Sequence, residues 1–335
     1  MTYDSSQIVV SSRVRLARNY HDLPFSNLKR PENALLCVQR AQKALDGGMN
    51  EEQFSLFRLQ DMNKLDQMSL VEQHLVSRDL LEHSEVGAAL IRDDRHVSVM
   101  INEEDHLRIQ AMLDGLSLAD AAKLAFAAEE KLAIVCDFSF DNQLGYLTAC
   151  PTNTGTGMRA SLMLHLPMLT RCKQMGNVTQ SVAKLGLTIR GIYGEGSEAL
   201  GDLYQVSNQV TLGRTEEELI EAVTAVGRQL IEMENVLRQR AAGDGLDFQD
   251  GVWRSYGALL YAKQMNDAEF MAHWSNLRLG ITTGILNVSL SAADDLLTLA
   301  QDAHAKTFKH SHPNLESTDQ ARCVIIQNRL STKEE

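Results

Sequence analysis

The pattern of this chain changes at Ala241-Ala-Gly-Asp-Gly, and that change constrains the fold more than any other feature. Two glycines in three residues interrupt helical periodicity and mark a linker. Before it, strand-like and helix-like runs alternate. Beyond it, residues 250 to 330 carry mostly helical patterns with few strand signals. At 335 residues the chain exceeds the usual size of one domain. The expectation is an α+β catalytic domain over residues 1–243, followed by a small all-helical domain over 250–335.

Within the first part, Gln7-Ile-Val-Val-Ser predicts a short strand leading into a loop. Residues 30–62 and 64–80 read as helical, being rich in Ala, Leu, Gln and Glu. Ala88-Ala-Leu-Ile and His96-Val-Ser-Val-Met-Ile, around the polar Arg92-Asp-Asp-Arg, predict a hairpin. Ser117 with Asp120 predicts a capped helix over 121–134, and Phe138 to Thr148 predicts strand and turn. Residues 158–185 read as mainly helical, with Pro167 as a kink or boundary. Leu187–Tyr193 and Leu203–Leu212 read as strands. Thr215 with Glu218 forms a capping box that opens a long helix to about Arg240.

The formal net charge of -12 makes nucleic acid and anionic membrane poor bulk partners. A polyanion would need a concentrated pocket of arginine. Five scattered cysteines without a CxxC pair argue against a zinc cluster or disulfide framework, and fit a reducing cytoplasm. The first residues lack a secretory pattern, and no apolar run approaches the roughly 18 residues of a spanning helix.

Four segments concentrate chemistry. In Ser11-Ser-Arg-Val-Arg-Leu-Ala-Arg, Arg13 and Arg15 alternate, so an extended backbone points both forks to one side, as phosphate oxygens require. A solvated basic strand fits the same spacing. Ile101-Asn-Glu-Glu-Asp-His-Leu-Arg places three acids where a strand ends, to hold a metal, act as a base or grip a cation; a solvated acidic turn is the plainer reading. Helical geometry would bring Arg108 beside Glu104. Cys150-Pro-Thr-Asn-Thr-Gly-Thr-Gly-Met-Arg offers loop amides and Arg159 to an anion, without the Gly-Lys-Ser/Thr ending of a Walker loop. Cys150 is either a small buried hydrophobe or a reactive thiol beside Thr152. Arg190-Gly-Ile-Tyr-Gly-Glu-Gly sets Glu195 between glycines, on a closing loop or a plain turn.

Together the acidic string, the Cys150 loop and the Arg190 segment closely resemble the phosphagen kinases, the ATP:guanido phosphotransferases, in order and spacing. The opening Ser-Ser-Arg-x-Arg-Leu-Ala-Arg, Val206-Ser-Asn-Gln-Val-Thr-Leu-Gly, Trp253-Arg-Ser-Tyr-Gly and Arg278-Leu-Gly-Ile extend the resemblance over nearly the whole chain, towards the bacterial protein-arginine-kinase branch. The helical domain that precedes the catalytic one in metabolite-directed members is expected to be absent, since about ten residues precede Arg13.

The resemblance implies a glutamine-synthetase-like catalytic domain, an antiparallel sheet with flanking helices. It implies that Arg13, Arg15, Arg108, Arg159 and Arg190 clamp the phosphates of ATP, with Mg2+ held mainly by phosphates and water and no dedicated metal ligands. His74 would pack near the adenine. Glu104 and Glu195 would grip the acceptor guanidinium, and Cys150 would lie beside it. The branch implies proteins with exposed arginines as substrates, marked for a Clp chaperone-protease, a zinc-binding activator protein, and a homodimer made through the C-terminal helices. Its phosphoarginine motif, Arg-Asp-x-x-Arg-Ala, reads Thr318-Asp-Gln-Ala-Arg-Cys here, keeping Asp319 and Arg322. Two rivals remain: a kinase for free arginine or another small guanidino compound, and a non-catalytic reader of phosphoarginine or nucleotide.

Overall fold

Ten short strands among the described residues, with side chains alternating between two faces in the longer ones, build the first part of the protein. The computed structural model describes residues 7–25, 30–46, 53–191, 199–243 and 245–331. In chain order the strands are β1 (Val9–Arg18), β2 (Phe54–Arg58), β3 (Ala88–Arg92), β4 (Val97–Ile101), β5 (Leu107–Asp114), β6 (Phe140–Asp141), β7 (Gly145–Tyr146), β8 (Met158–His165), β9 (Leu187–Gly191) and β10 (Leu203–Asn208). The helices are α1 (Pro31–Leu45), α2 (Lys64–Glu72), α3 (Arg78–Leu81), α4 (Leu118–Ala133), α5 (Pro167–Arg171), α6 (Met175–Ala183) and α7 (Glu216–Gly243). After them come α8 (Leu246–Tyr261), α9 (Asp267–Thr282), α10 (Leu290–Leu299), α11 (Asp302–Ser311) and α12 (Thr318–Ser331).

Eight strands form one antiparallel sheet in the order β2-β3-β4-β5-β1-β8-β10-β9. Its two faces differ. Val14 and Leu16, Ile109 and Ala111, Ala160 and Leu162, and Val206 and Ile189 all point to one side, in a single buried core with α1, α4, α6 and α7. The opposite face is covered only at its ends. Met100, Ala89 and Ile91 pack there with Leu70, Leu75 and Leu80 from α2, α3 and the turn between them. Met163, Val10 and Leu203 pack against the C-terminal core around Phe270 and Trp274. Between these two covers the sheet face is open.

The hairpin β3–β4, the strands β9 and β10, and the helices beyond residue 245 follow expectation. The capping box is present: Thr215 N donates to Glu218 at 3.2 Å, and Glu218 N donates to Thr215 Oγ1 at 3.2 Å. Three expectations are corrected. Residues 54–58 form the edge strand β2 rather than helix, because Phe54 and Leu56 pack on the main core as β2 pairs with β3. Residues 158–165 form β8, in the interior of the sheet, because Met158, Ala160, Leu162 and Leu164 alternate onto the buried face. β1 runs on through Arg18, so Arg13 and Arg15 lie on a strand rather than in a loop.

Candidate active site

Residues directly opposite one another in a sheet share a face. Arg15 lies opposite Arg159, and Arg13 opposite Ser161. Arg108 lies opposite Ala17, next but one to Arg15 on β1, and Arg190 lies opposite Gln205. Gln205 in turn accepts a hydrogen bond from Arg13 at 2.7 Å. The five arginines picked out by sequence therefore occupy the open face. Arg18, on the same strand with the other parity, turns into the protein: it pairs with Glu129 at 2.5 Å and donates to Ala17 O and Thr156 O.

Concentrated charge perturbs its members. Burial, reinforced by Arg108 and Arg159, pulls the Arg13 guanidinium down to about 10. Arg15 lies well below its ordinary value, through burial and then Arg13, Arg108 and Arg159. Its Nε is buried without a hydrogen-bond partner among the described residues. Burial also opposes charge on Arg108, but Glu103 overrides it by charge and hydrogen bond and raises the pKa. A row of mutually repelling guanidinium groups is a site shaped for a polyanion.

Above this face lies a cleft of about 1050 Å3, lined by Arg13, Arg15, Gln110, Gln205 and, from α10, Asp294. His74 forms part of its wall. Leu75 N bonds to Leu70 O at 3.0 Å as α2 ends, and His74 there takes φ 57, a left-handed position usually given to glycine. The enclosing walls of the cleft, and after them Arg13, lower the pKa of His74. Glu72, at the end of α2, caps α11: it accepts from Ala303 N at 2.6 Å and His304 N at 3.0 Å.

The acidic turn is built on Asn102, held at φ 63 with its side chain donating to Ala34 O and Val86 O. Asn102 N bonds to His106 O at 3.0 Å, closing the turn. Its three acids then diverge. Glu103 is buried and accepts from Arg108 and Ser77. Asp105 is buried and accepts from Asn19 Nδ2 at 2.6 Å and Ala149 N at 2.7 Å. Glu104 alone is exposed. Partial burial and Asp105 raise its pKa, opposed by Arg108 and by a hydrogen bond with Cys150. Arg108 pairs with Glu103 and also feels the charge of Glu104, as the spacing implied, but the two acids lie in the turn between β4 and β5 and Arg108 opens β5, so no helix brings them together.

Cys150 Sγ also lies 3.0 Å from Thr152 Oγ1. The hydrogen bond brings together Glu104 and Cys150, two residues that the resemblance assigned to one site. Glu195 lies outside the described residues. Asp319 and Arg322 sit on α12, where Arg322 is fully buried and donates to Ala300 O, Met265 O, Asp319 and Asp302. Sequence reasoning missed Glu103, Asp105 and Gln205 as partners of the site; the period of two in the acidic run was a usable signal for the first two.

Residues 37–237 match the family described as ATP:guanido phosphotransferase, C-terminal catalytic domain. The chain belongs to this family. Residues 245–335 match the protein-arginine kinase McsB C-terminal domain. Among curated relatives of this ATP:guanido phosphotransferase, the protein-arginine kinase of Caldanaerobacter subterraneus subsp. tengcongensis is 42% identical over 100% of both chains. That of Desulforamulus reducens is 41% identical over 99% of this chain and 94% of its own. Of solved structures, the duplicated taurocyamine kinase of Schistosoma mansoni with bound transition state analog components aligns at TM-score 0.63 and 27% identity, over 77% of this chain. The present chain spans 38% of that duplicated protein. A lombricine kinase aligns at TM-score 0.61 and 25% identity, over 70% of this chain and 68% of its own.

Nucleotide fits the geometry: the cationic face has the charge for a triphosphate and the cleft has the room. Among the described residues, the group suited to a metal is His21, Asp22 and Cys136. There Asp22 is already held by Arg40 through two 2.7 Å contacts. No helix among the described residues is long and apolar enough to cross a membrane.

Proposed function

We propose that this enzyme transfers the γ-phosphoryl group of ATP to the guanidinium groups of arginine side chains in proteins. The observation that carries the reading is the juxtaposition of the arginine face, through Arg108, with the Glu104–Cys150 pair. Full-length similarity to protein-arginine kinases supports the choice of acceptor.

In this reading Arg13, Arg15, Arg108, Arg159 and Arg190 bind the phosphates, and His74 borders the base. Phosphoryl transfer asks mainly for alignment and charge neutralisation. Fixed on a sheet, the arginines keep their geometry when nucleotide arrives. Mg2+, held mainly by phosphates and water, would neutralise further charge on the transferred group. A guanidinium, with pKa above about 12, is a poor nucleophile while protonated. Glu104 orients it and takes the proton lost as nitrogen attacks; a carboxylate of raised pKa is the better base for this task. Glu195 is the second carboxylate, and Cys150 lies beside the acceptor without forming a bond to it.

Residues 1–243 form the catalytic unit and 250–335 a helical unit that supports dimerisation in the cytoplasm. A zinc-binding activator and a Clp chaperone-protease are the partners this activity would serve. Arg322, with donors already committed to Met265, Ala300, Asp302 and Asp319, acts here as a tie between helices, and phosphoarginine would have to displace one of those carboxylates.

The test offers Mg-ATP with either free L-arginine or casein, reading products by phosphorus NMR and by mass spectrometry at non-acidic pH. Phosphate on casein arginines is the expected result. Free phosphoarginine with casein untouched would make the chain a small-guanidine kinase. Glu104→Gln is expected to abolish turnover while nucleotide still binds; turnover that survived would remove Glu104 from the mechanism.

A further inference from the structure

A kinase acting on protein arginine must seat the chain on both sides of the target residue, and the surface around the Cys150 loop is unusual for a solvated rim. Phe140, Leu144, Val210 and Leu212 are 57%, 47%, 48% and 50% exposed. They belong to two segments, the β6–β7 hairpin and residues 210–212, packed on either side of the Cys150 loop. On one side Tyr146 N donates to Gly155 O at 2.8 Å, and Gly155 N returns to Tyr146 O at 3.2 Å. On the other, Thr156 N donates to Thr211 O at 3.3 Å, and Thr211 Oγ1 donates to Thr154 O at 2.7 Å.

Gly155 makes this stacking possible. At φ 121, a Cβ on it would lie 2.5 Å from Thr211 O and 2.7 Å from Leu212 Cα. A Cβ on Gly145 would lie 2.5 Å from Gly155 O. The Phe140 ring rests edge-on against Tyr146, centroids 5.2 Å apart, and more than half of the residue stays exposed. Carboxylates accompany these apolar tips. Asp141 is exposed at the hairpin tip, and Glu216, at the start of α7, is near enough to raise the Tyr146 hydroxyl's pKa, after burial and Glu129.

We propose that Phe140, Leu144, Val210 and Leu212 form a docking rim for an unfolded acceptor polypeptide bearing apolar residues beside its target arginine. Apolar tips fit apolar flanks, and the carboxylates fit a cationic segment. Folded proteins bury their apolar side chains and leave arginine outside, so the two are presented together in an extended stretch chiefly when a chain is unfolded. The proposal rests on the Glu104–Cys150 acceptor site argued above.

The test uses the full-length enzyme and two peptides of equal length and charge, each with one arginine. One is flanked by Leu and Phe, the other by Ser and Gly. The wild type is expected to show a KM about tenfold lower for the apolar peptide, and Phe140→Ser/Leu212→Ser to remove that advantage, with kcat, ADP affinity and the polar peptide's KM unchanged. Equal KM values for both peptides on the wild type would overturn the rim. So would a loss in the double variant that falls on both peptides alike. A change in the variant's sedimentation would instead make the surface a contact between copies of this chain, which also overturns the proposal. Glu104→Gln separates the two readings: retained turnover sinks the acceptor site itself, whereas lost turnover with undiscriminated peptides sinks the rim alone.

Discussion

Asp105 is where the geometry makes its sharpest quantitative demand. One oxygen, Oδ1, takes Asn19 Nδ2 at 2.6 Å and Ala149 N at 2.7 Å, so this carboxylate fastens the end of β1 and the Cys150 loop to the acidic turn. Asp105→Ala orphans Ala149 N and leaves Asn19 Nδ2 with only its 3.2 Å bond to Leu147 O. Each lost bond costs about 1–3 kcal/mol, or about 2–6 kcal/mol together. Burial, outweighing those two donors, raises the pKa of Asp105, so its ionised form is itself disfavoured by the fold and part of that loss is offset. With about 2–4 °C of Tm for each kcal/mol, a net loss of about 2–3 kcal/mol after that offset puts Asp105→Ala roughly 4–12 °C below wild type. Asp105→Asn keeps an acceptor oxygen in place and should melt close to wild type. The sign with pH follows from the raised pKa. Stability from this group is fully present at low pH and is lost as pH rises through its folded pKa, so the Tm difference should move in favour of Asp105→Asn with rising pH. Asp105 also raises the pKa of Glu104, second to burial. The acid limb of kcat/KM in Asp105→Asn should therefore shift to lower pH. Calorimetry and a pH–rate profile on a peptide acceptor read all of this. If Asp105→Asn lost as much Tm as Asp105→Ala, or its acid limb moved upward, the clasp would be refuted.

Arg15→Met removes one of four mutually repelling guanidinium groups, so the nucleotide-free Tm should hold or rise, while ATP binding measured by titration calorimetry weakens at least about tenfold. A lower Tm with unchanged affinity would contradict the phosphate-clamp assignment. His74→Gly relieves a left-handed histidine at φ 57 and should gain about 1 kcal/mol by denaturant titration, at the expense of nucleotide affinity. Arg322→Ala frees Asp302 and Asp319 and strips Ala300 O and Met265 O of their donor, so stability should fall by about 3 kcal/mol or more in denaturant titration. Phosphoarginine added to the wild type should leave Tm unchanged; a rise of several degrees would reveal a binding site that the tie does not close.

Much of this was legible in the sequence. The alternation of Arg13 and Arg15 put both side chains on one face of a strand, and Thr215 with Glu218 located the start of α7, because both signals are local and have a short-range cause. Met158-Arg-Ala-Ser-Leu-Met-Leu-His was misread as helix because Met, Arg, Ala and Leu are good helix formers. Tertiary burial of alternate residues overrode that propensity. Arg108 does lie near Glu104, as the spacing implied, but on β5 rather than on a helix. The roles of Glu103 and Asp105 were hidden for another reason: Ser77 lies 26 residues before Glu103, and Asn19 lies 86 before Asp105, so only the folded sheet brings them together.

For an acidic protein to bind a polyanion, as proposed, it has to separate its net charge from its local field, and period-two geometry does this. On β1, one parity gives Arg13 and Arg15 to the open face, while the other gives Val14 and Leu16 to the core and Arg18 to an internal pair with Glu129. The cost of crowding is spread over several strands whose positions the buried face fixes. Gln205 and Ser207 supply neutral acceptors to Arg13 and Arg159, which hold the guanidinium groups without cancelling them. Glu103 fastens Arg108 from the buried side. The positive charge that remains is a property of the sheet's register, so a register slip on β1 of one residue would turn Arg13 and Arg15 into the core and abolish binding before any catalytic residue moved.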